Sequence, residues 1–174
     1  MAGKLVQVDS VTVTSPVASI YLTGINDDSV YMCVVSNASN NSGDYQLRMR
    51  VAVDSVQKST GNYDYAYKQL DSTTTFFNSA VTNANMFGGS TTGTSANEVQ
   101  NYIFYFYNWY SSSEYSFWTN EEVTYNSTPK LIGATGGGVY TVGESHNSVR
   151  FWTGNSVSNE YDTTQGTFTL YRVV

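Results

Sequence analysis

Apolar and polar residues alternate along most of this chain. In residues 45–54, Tyr45, Leu47, Met49, Val51 and Val53 fall on one parity, and Gln46, Arg48, Arg50 and Asp54 on the other. A strand sends successive side chains to opposite faces, so this spacing predicts a half-buried strand. A helix would scatter the same apolar residues around its circumference. The period of two recurs in residues 4–13, 16–22 and 62–68, the last placing Tyr63, Tyr65 and Tyr67 on one side. Residues 98–110 carry Val99, Ile103, Tyr105, Tyr107 and Trp109 on one face and Tyr102, Phe104, Phe106 and Tyr110 on the other. Residues 30–36 are apolar on both faces, which predicts a central strand. Shorter strands are expected at 115–119, 122–125, 130–134, 139–142, 149–153 and 166–173, all rich in the β-branched and aromatic residues that a pleated surface favours.

The breaks are clusters of Asn, Asp, Gly and Ser at residues 26–28, 37–44, 59–62 and 143–147, whose short side chains bond to local backbone. Gly136-Gly137-Gly138 reads as a turn. No stretch has the pattern of a normal helix. Residues 78–97 are the longest segment without clear alternation and are expected to be an irregular arm with Met86 and Phe87 at its apolar centre. About ten short strands with frequent turns, no internal repeat and no linker predict one all-β domain over residues 1–174, an antiparallel β-sandwich with essentially no helix.

Charge narrows the choice of partners. Only 13% of the residues are charged, against about 25% on average, and the net charge is −6. The four arginines and four lysines are scattered, so a phosphate-tracking groove and nucleic-acid binding are not expected. No apolar run approaches the roughly 18 residues of a membrane span, and the first residues lack the pattern of a signal peptide. Cys33 is the only cysteine, lies in an apolar run and is expected to be a buried small hydrophobe.

The chemistry of sites is thin. His146 is the only histidine and sits in the polar stretch Gly143-Glu144-Ser145-His146-Asn147, which predicts a solvated loop residue. Zinc needs three or four His or Cys ligands, and the chain has two such residues in all. Asp27-Asp28 and Glu121-Glu122 lack the alternate spacing of a calcium loop. Gly136-Gly137-Gly138 lacks the lysine and helix of a phosphate loop. No catalytic residue, cofactor or metal is therefore expected, and the chain does not read as an enzyme. The unusual feature is aromatic content: 15 tyrosines, eight phenylalanines and three tryptophans. Aromatics give large contact area at low entropy cost and enrich interfaces. Met86, Phe87, Trp109, Tyr110 and Trp118 are the residues expected at an interface.

The stretches Val17-Ala18-Ser19-Ile20-Tyr21-Leu22-Thr23-Gly24-Ile25, Leu47-Arg48-Met49-Arg50-Val51, Val149-Arg150-Phe151-Trp152-Thr153-Gly154-Asn155 and Gly166-Thr167-Phe168-Thr169-Leu170-Tyr171, in this order, resemble a group of short virion structural proteins of tailed bacteriophages, marine and cyanobacterial ones especially. The group's pattern has a Thr-Gly-Ile start, a Leu-Arg-x-Arg strand and a closing Gly-Thr-x-x-Leu-Tyr-Gly. This chain departs from it with Tyr21 near an often acidic position and Arg172-Val173 where a final glycine is common. The resemblance implies a jelly-roll-like sandwich without catalysis, located in the virion after synthesis in the host cytoplasm. It implies a capsid decoration or cement protein whose partner is the major capsid protein or another virion protein, with a homotrimer favoured. The alternative within the same group is a receptor-binding domain of a tail or head fibre recognising host surface glycans.

Overall fold

The structure is a computed structural model that describes residues 3–73, 76–128, 130–154 and 164–174. Thirteen strands and no helix form among the described residues: β1 (Leu5–Val17), β2 (Ile20–Thr23), β3 (Tyr31–Ser39), β4 (Tyr45–Val53), β5 (Val56–Gln57), β6 (Tyr63–Asp71), β7 (Phe76–Ala84), β8 (Phe87–Thr92), β9 (Gln100–Tyr107), β10 (Ser116–Tyr125), β11 (Leu131–Tyr140), β12 (Ser148–Gly154) and β13 (Thr164–Val173). All pairings are antiparallel. Eight strands form a large sheet in the order β1-β13-β3-β9-β10-β11-β6-β7. A five-stranded sheet has the order β2-β12-β4-β5, with β8 also paired to β4. The two sheets pack as a sandwich, and the residues between them form one core that includes Leu22, Tyr31, Val51, Tyr63, Phe87, Phe104, Trp118 and Phe151.

The alternation read from the sequence becomes burial. In β10 every second residue is buried, from Ser116 through Trp118, Asn120 and Glu122 to Thr124. In β9, Tyr102, Phe104 and Phe106 face inward while Ile103 and Tyr105 stay outside. The middle strand of the small sheet, β12, is buried at all seven positions. Cys33 is buried in β3, as expected, and burial alone drives its thiol far above the ordinary range. The chain ends meet: Lys4 and Val174 exchange backbone hydrogen bonds of 2.7 and 2.8 Å.

Four expectations change. Residues 78–97 are not an irregular arm, because they contain most of β7 and all of β8. Their Ser, Thr, Asn and Gly content hid strands whose pairing with β6 and β4 is set by tertiary context rather than by propensity. These two strands and the two-residue β5 raise the count from about ten to thirteen. The two strands expected over residues 4–13 and 16–22 are divided differently: β1 runs through Pro16, which lies within a register shift between Val13 and Val17 on this edge strand, where a missing donor is tolerated. Lastly, Gly136-Gly137-Gly138 is no turn but the middle of β11, paired on both sides. A Cβ on Gly137 would stand 2.7 Å from the Trp118 carbonyl oxygen, and one on Gly138 would collide with the Trp118 ring and stand 2.6 Å from the Asp64 carbonyl oxygen. Glycine here makes room for a large neighbouring side chain.

Candidate functional surfaces

Of the five residues expected at an interface, four are consumed by the chain's own core. Trp109 is fully buried, with its indole N–H donating to the Ser148 carbonyl at 3.2 Å. Trp118 and Phe87 meet edge to face at 6.0 Å between centroids, and Met86 is buried beside them in sequence. These side chains are therefore not a surface on which a partner docks, and the interface expectation for Met86, Phe87, Trp109 and Trp118 is corrected. These four fill the layer between the sheets, because a sandwich with one wide sheet needs large residues there. Only Tyr110 is exposed, at 40%. It borders a hollow of about 320 Å³ with Thr23, Asn26, Asp54, Ser55 and Asn147. Asp54 and Ser55 both have positive φ, as the two-residue β4–β5 hairpin turn requires. Asn147 holds that turn by donating to the Asp54 carboxylate at 2.6 Å and accepting from the Asp54 backbone N–H at 2.8 Å.

His146 is not a solvated loop residue. It is fully buried, because its backbone N–H donates to the Trp109 carbonyl at 2.7 Å and draws the loop inward. Its Nδ1 is 2.9 Å from Ser116 Oγ, and its Nε2 is 3.5 Å from Glu144 Oε1. Glu144 is also bound by Lys58 at 2.9 Å and by the Tyr140 hydroxyl at 3.2 Å. Burial pushes the imidazole down to about 4, against the opposing pull of Glu144. A serine, a histidine and a carboxylate thus stand in line. Ser116 is as buried as His146, so no substrate carbonyl reaches its hydroxyl from solvent. The cluster fastens the loop that contains residues 143–147 onto the start of β10.

At the other end of the same strand face lies Glu122. Its neighbour Glu121 points outward, so the adjacent acids of the sequence are separated by the sheet. Glu122 accepts from the Ser90 backbone N–H at 3.0 Å, while the Ser90 hydroxyl lies 3.3 Å from Gln69 Oε1. Burial raises the Glu122 carboxyl to about 7, partly offset by Ser90 and the nearby Tyr102 hydroxyl. Sequence reading missed this acid because a strand of alternating burial does not say which polar residue takes the inner parity.

The arginines are less scattered than the sequence suggests. On the small sheet Arg50 pairs directly with Arg150, and Arg48 with Trp152. Both guanidinium groups of Arg50 and Arg150 lie 4.8 Å from the Trp152 ring centroid, and both donate to Gln57 Oε1. All three of Arg50, Arg150 and Trp152 are buried, so they hold the fold rather than offer a basic patch.

The outer face of the large sheet is open to solvent. It carries exposed Ile103, Tyr105, Phe117, Val123, Tyr125 and Leu131 on β9, β10 and β11. A groove of about 330 Å³ crosses it between Val34, Ser36, Asn101, Ile103 and Val123. Among the described residues no group of three or more His, Cys, Asp or Glu side chains is placed to hold a metal ion, and no helix is long and apolar enough to cross a membrane. No family model, curated protein or solved structure matches the chain.

Proposed function

We propose that the chain is a non-catalytic assembly protein that docks through the outer face of its large sheet, in the role of a capsid decoration protein on the shell of a tailed phage. The single observation behind the docking surface is the run of exposed aromatic and branched side chains from Tyr105 and Ile103 across Phe117 and Val123 to Leu131. Charge is sparse on this face: its ionisable side chains on β10 and β6 are Glu121, Asp64 and Lys68. Contiguous apolar surface of this kind marks interaction sites. The identity of the partner rests on the resemblance described above. Added buried area between capsid subunits would stabilise the shell by mass action.

Two measurements test it. Purified virions should contain the protein in a ratio to the major capsid protein that reflects the icosahedral lattice. An Ile103→Glu/Val123→Glu variant should fold normally and fail to load onto shells. A stoichiometry of a few copies per particle would reject the decoration role. The hollow beside Tyr110 supports the second reading, a glycan-binding fibre domain, since an exposed ring next to Asp54, Asn26 and Asn147 offers both stacking and hydrogen bonds to a sugar. That reading requires binding of the isolated protein to host cells that is lost in Tyr110→Ala.

A further inference from the structure

The large sheet has two free edges, and they differ. β1 is interrupted by register shifts at Gln7/Asp9 and Val13/Val17, contains Pro16 and turns into β2, with Asp9 accepting from the Thr23 N–H at 2.8 Å. Each of these features blunts an edge. β7 has none of them along its first six residues, which pair with β6 without a shift from Phe76 to Val81. Its nine residues, Phe-Phe-Asn-Ser-Ala-Val-Thr-Asn-Ala, contain no charge and no proline. Among the described residues its only sheet partner is β6, which leaves the other side of its backbone facing outward. Phe76 is 71% exposed and Phe77 41%. An edge of this kind is a template for another strand.

We propose that β7 is a self-association edge: two copies of the chain pair β7 antiparallel about a twofold axis at Ser79, fusing their large sheets into one. The occupant is a second copy because the strand is self-complementary in this register. Phe77 comes opposite Val81 of the other copy, twice by symmetry, giving aromatic against β-branched pairs on the inner face. Asn78 comes opposite Ala80, so the regular pairing spans residues 77–81 and ends at the register shift beyond Val81. Self-pairing of a strand with any charged residue near its centre would set like charges close together, and this strand has none. A twofold interface closes at two copies. The edge is independent of the virion role and stands or falls without it.

The test is a charge pair placed across the axis. Asn78 and Ala80 are both exposed on the outer face, with Asn78 opposite Lys68 of β6, so a thermal melt of each variant first checks that the monomer fold is kept. Sedimentation of the wild-type chain at micromolar concentration should give a dimer. Asn78→Lys/Ala80→Lys sets lysines opposite each other and should raise the dimer dissociation constant about tenfold or more. Asn78→Asp/Ala80→Lys sets opposite charges across the axis and should restore the dimer. Ser79→Cys should give a disulfide-linked dimer under mild oxidation, since Cys33 is buried and does not compete. A wild-type monomer, open-ended polymers, a lysine pair without effect or an acid–lysine pair that fails to restore association would each overturn the proposal.

Discussion

The two ends of the buried face of β10 solve one problem with opposite chemistry. At Ser116 the strand holds an imidazole between a hydroxyl and a carboxylate, and burial keeps that base neutral by lowering it to about 4. At Glu122 the strand buries an acid, and burial favours its protonated form by raising it to about 7. Between them stand Trp118 and Asn120 on the same parity. In each case the layer between the sheets penalises the charged form. The direction of the resulting pH dependence is set only by whether the buried group is a base or an acid.

The comparison breaks most severely at the ring that separates the two ends. Trp118 packs against Tyr63 and Phe87 and fills the space left by Gly138. Trp118→Ala should cost about 3–5 kcal/mol, the range for emptying a large aromatic from a core. A urea melt measures it, and a loss under about 1 kcal/mol would show that the two ends are not joined through this ring.

The pH dependence sharpens the contrast. His146 has a folded value below its unfolded 6.5, so its neutral burial contributes stability that is present above pH 6.5 and lost as pH falls through about 4. Glu122 has a folded value above its unfolded 4.5, so its contribution is present below pH 4.5 and lost as pH rises through about 7. Each amounts to about 3 kcal/mol at full titration. Over pH 4.5 to 6.5 the slopes oppose, and these two groups leave unfolding free energy nearly flat. Glu122→Gln removes one slope and should leave a protein that weakens toward acid. His146→Asn removes the other and should leave one that weakens toward alkali. Denaturant melts at several pH values read both, and parallel profiles for the two variants would refute the assignment.

Removing a single hydroxyl has a smaller effect. Ser116→Ala leaves His146 Nδ1 without its partner in a dry site and should cost about 1–3 kcal/mol, the penalty of one buried unpaired polar group. If the melt of this variant matched the wild type, the 2.9 Å contact would carry no weight in holding the loop.

Sequence pattern reached the sheets further than it reached these clusters. The inner parity of β4 is legible because Leu47 and Met49 contrast with Gln46 and Arg48, whereas β9 carries apolar residues on both parities and only packing turns Phe104 and Phe106 inward. The burial of Cys33 followed from the apolar run around it. β7 was illegible because Asn78, Ser79, Thr82 and Asn83 resemble loop residues, and its strand state comes from the ladder with β6. His146 was misread because a polar stretch normally stays in water, whereas here a backbone bond to Trp109 and a buried Ser116 await it 30 or more residues away in sequence. Glu122 and its twin Glu121 are identical by type, and only the register of β10 against β9 and β11 decides which one turns inward.

That identity supplies the mildest and cleanest control. Glu121→Gln makes the same chemical change as Glu122→Gln one residue earlier, on the exposed parity of β10. An outward side chain stays in contact with water, so this substitution should shift stability by less than about 0.5 kcal/mol. A matching pair of effects from Glu121→Gln and Glu122→Gln would mean that the difference between them is net charge rather than burial. Separation of the two, with the slope changed only by the inner residue, ties the alkaline loss of stability to the carboxyl held at the Ser90 N–H.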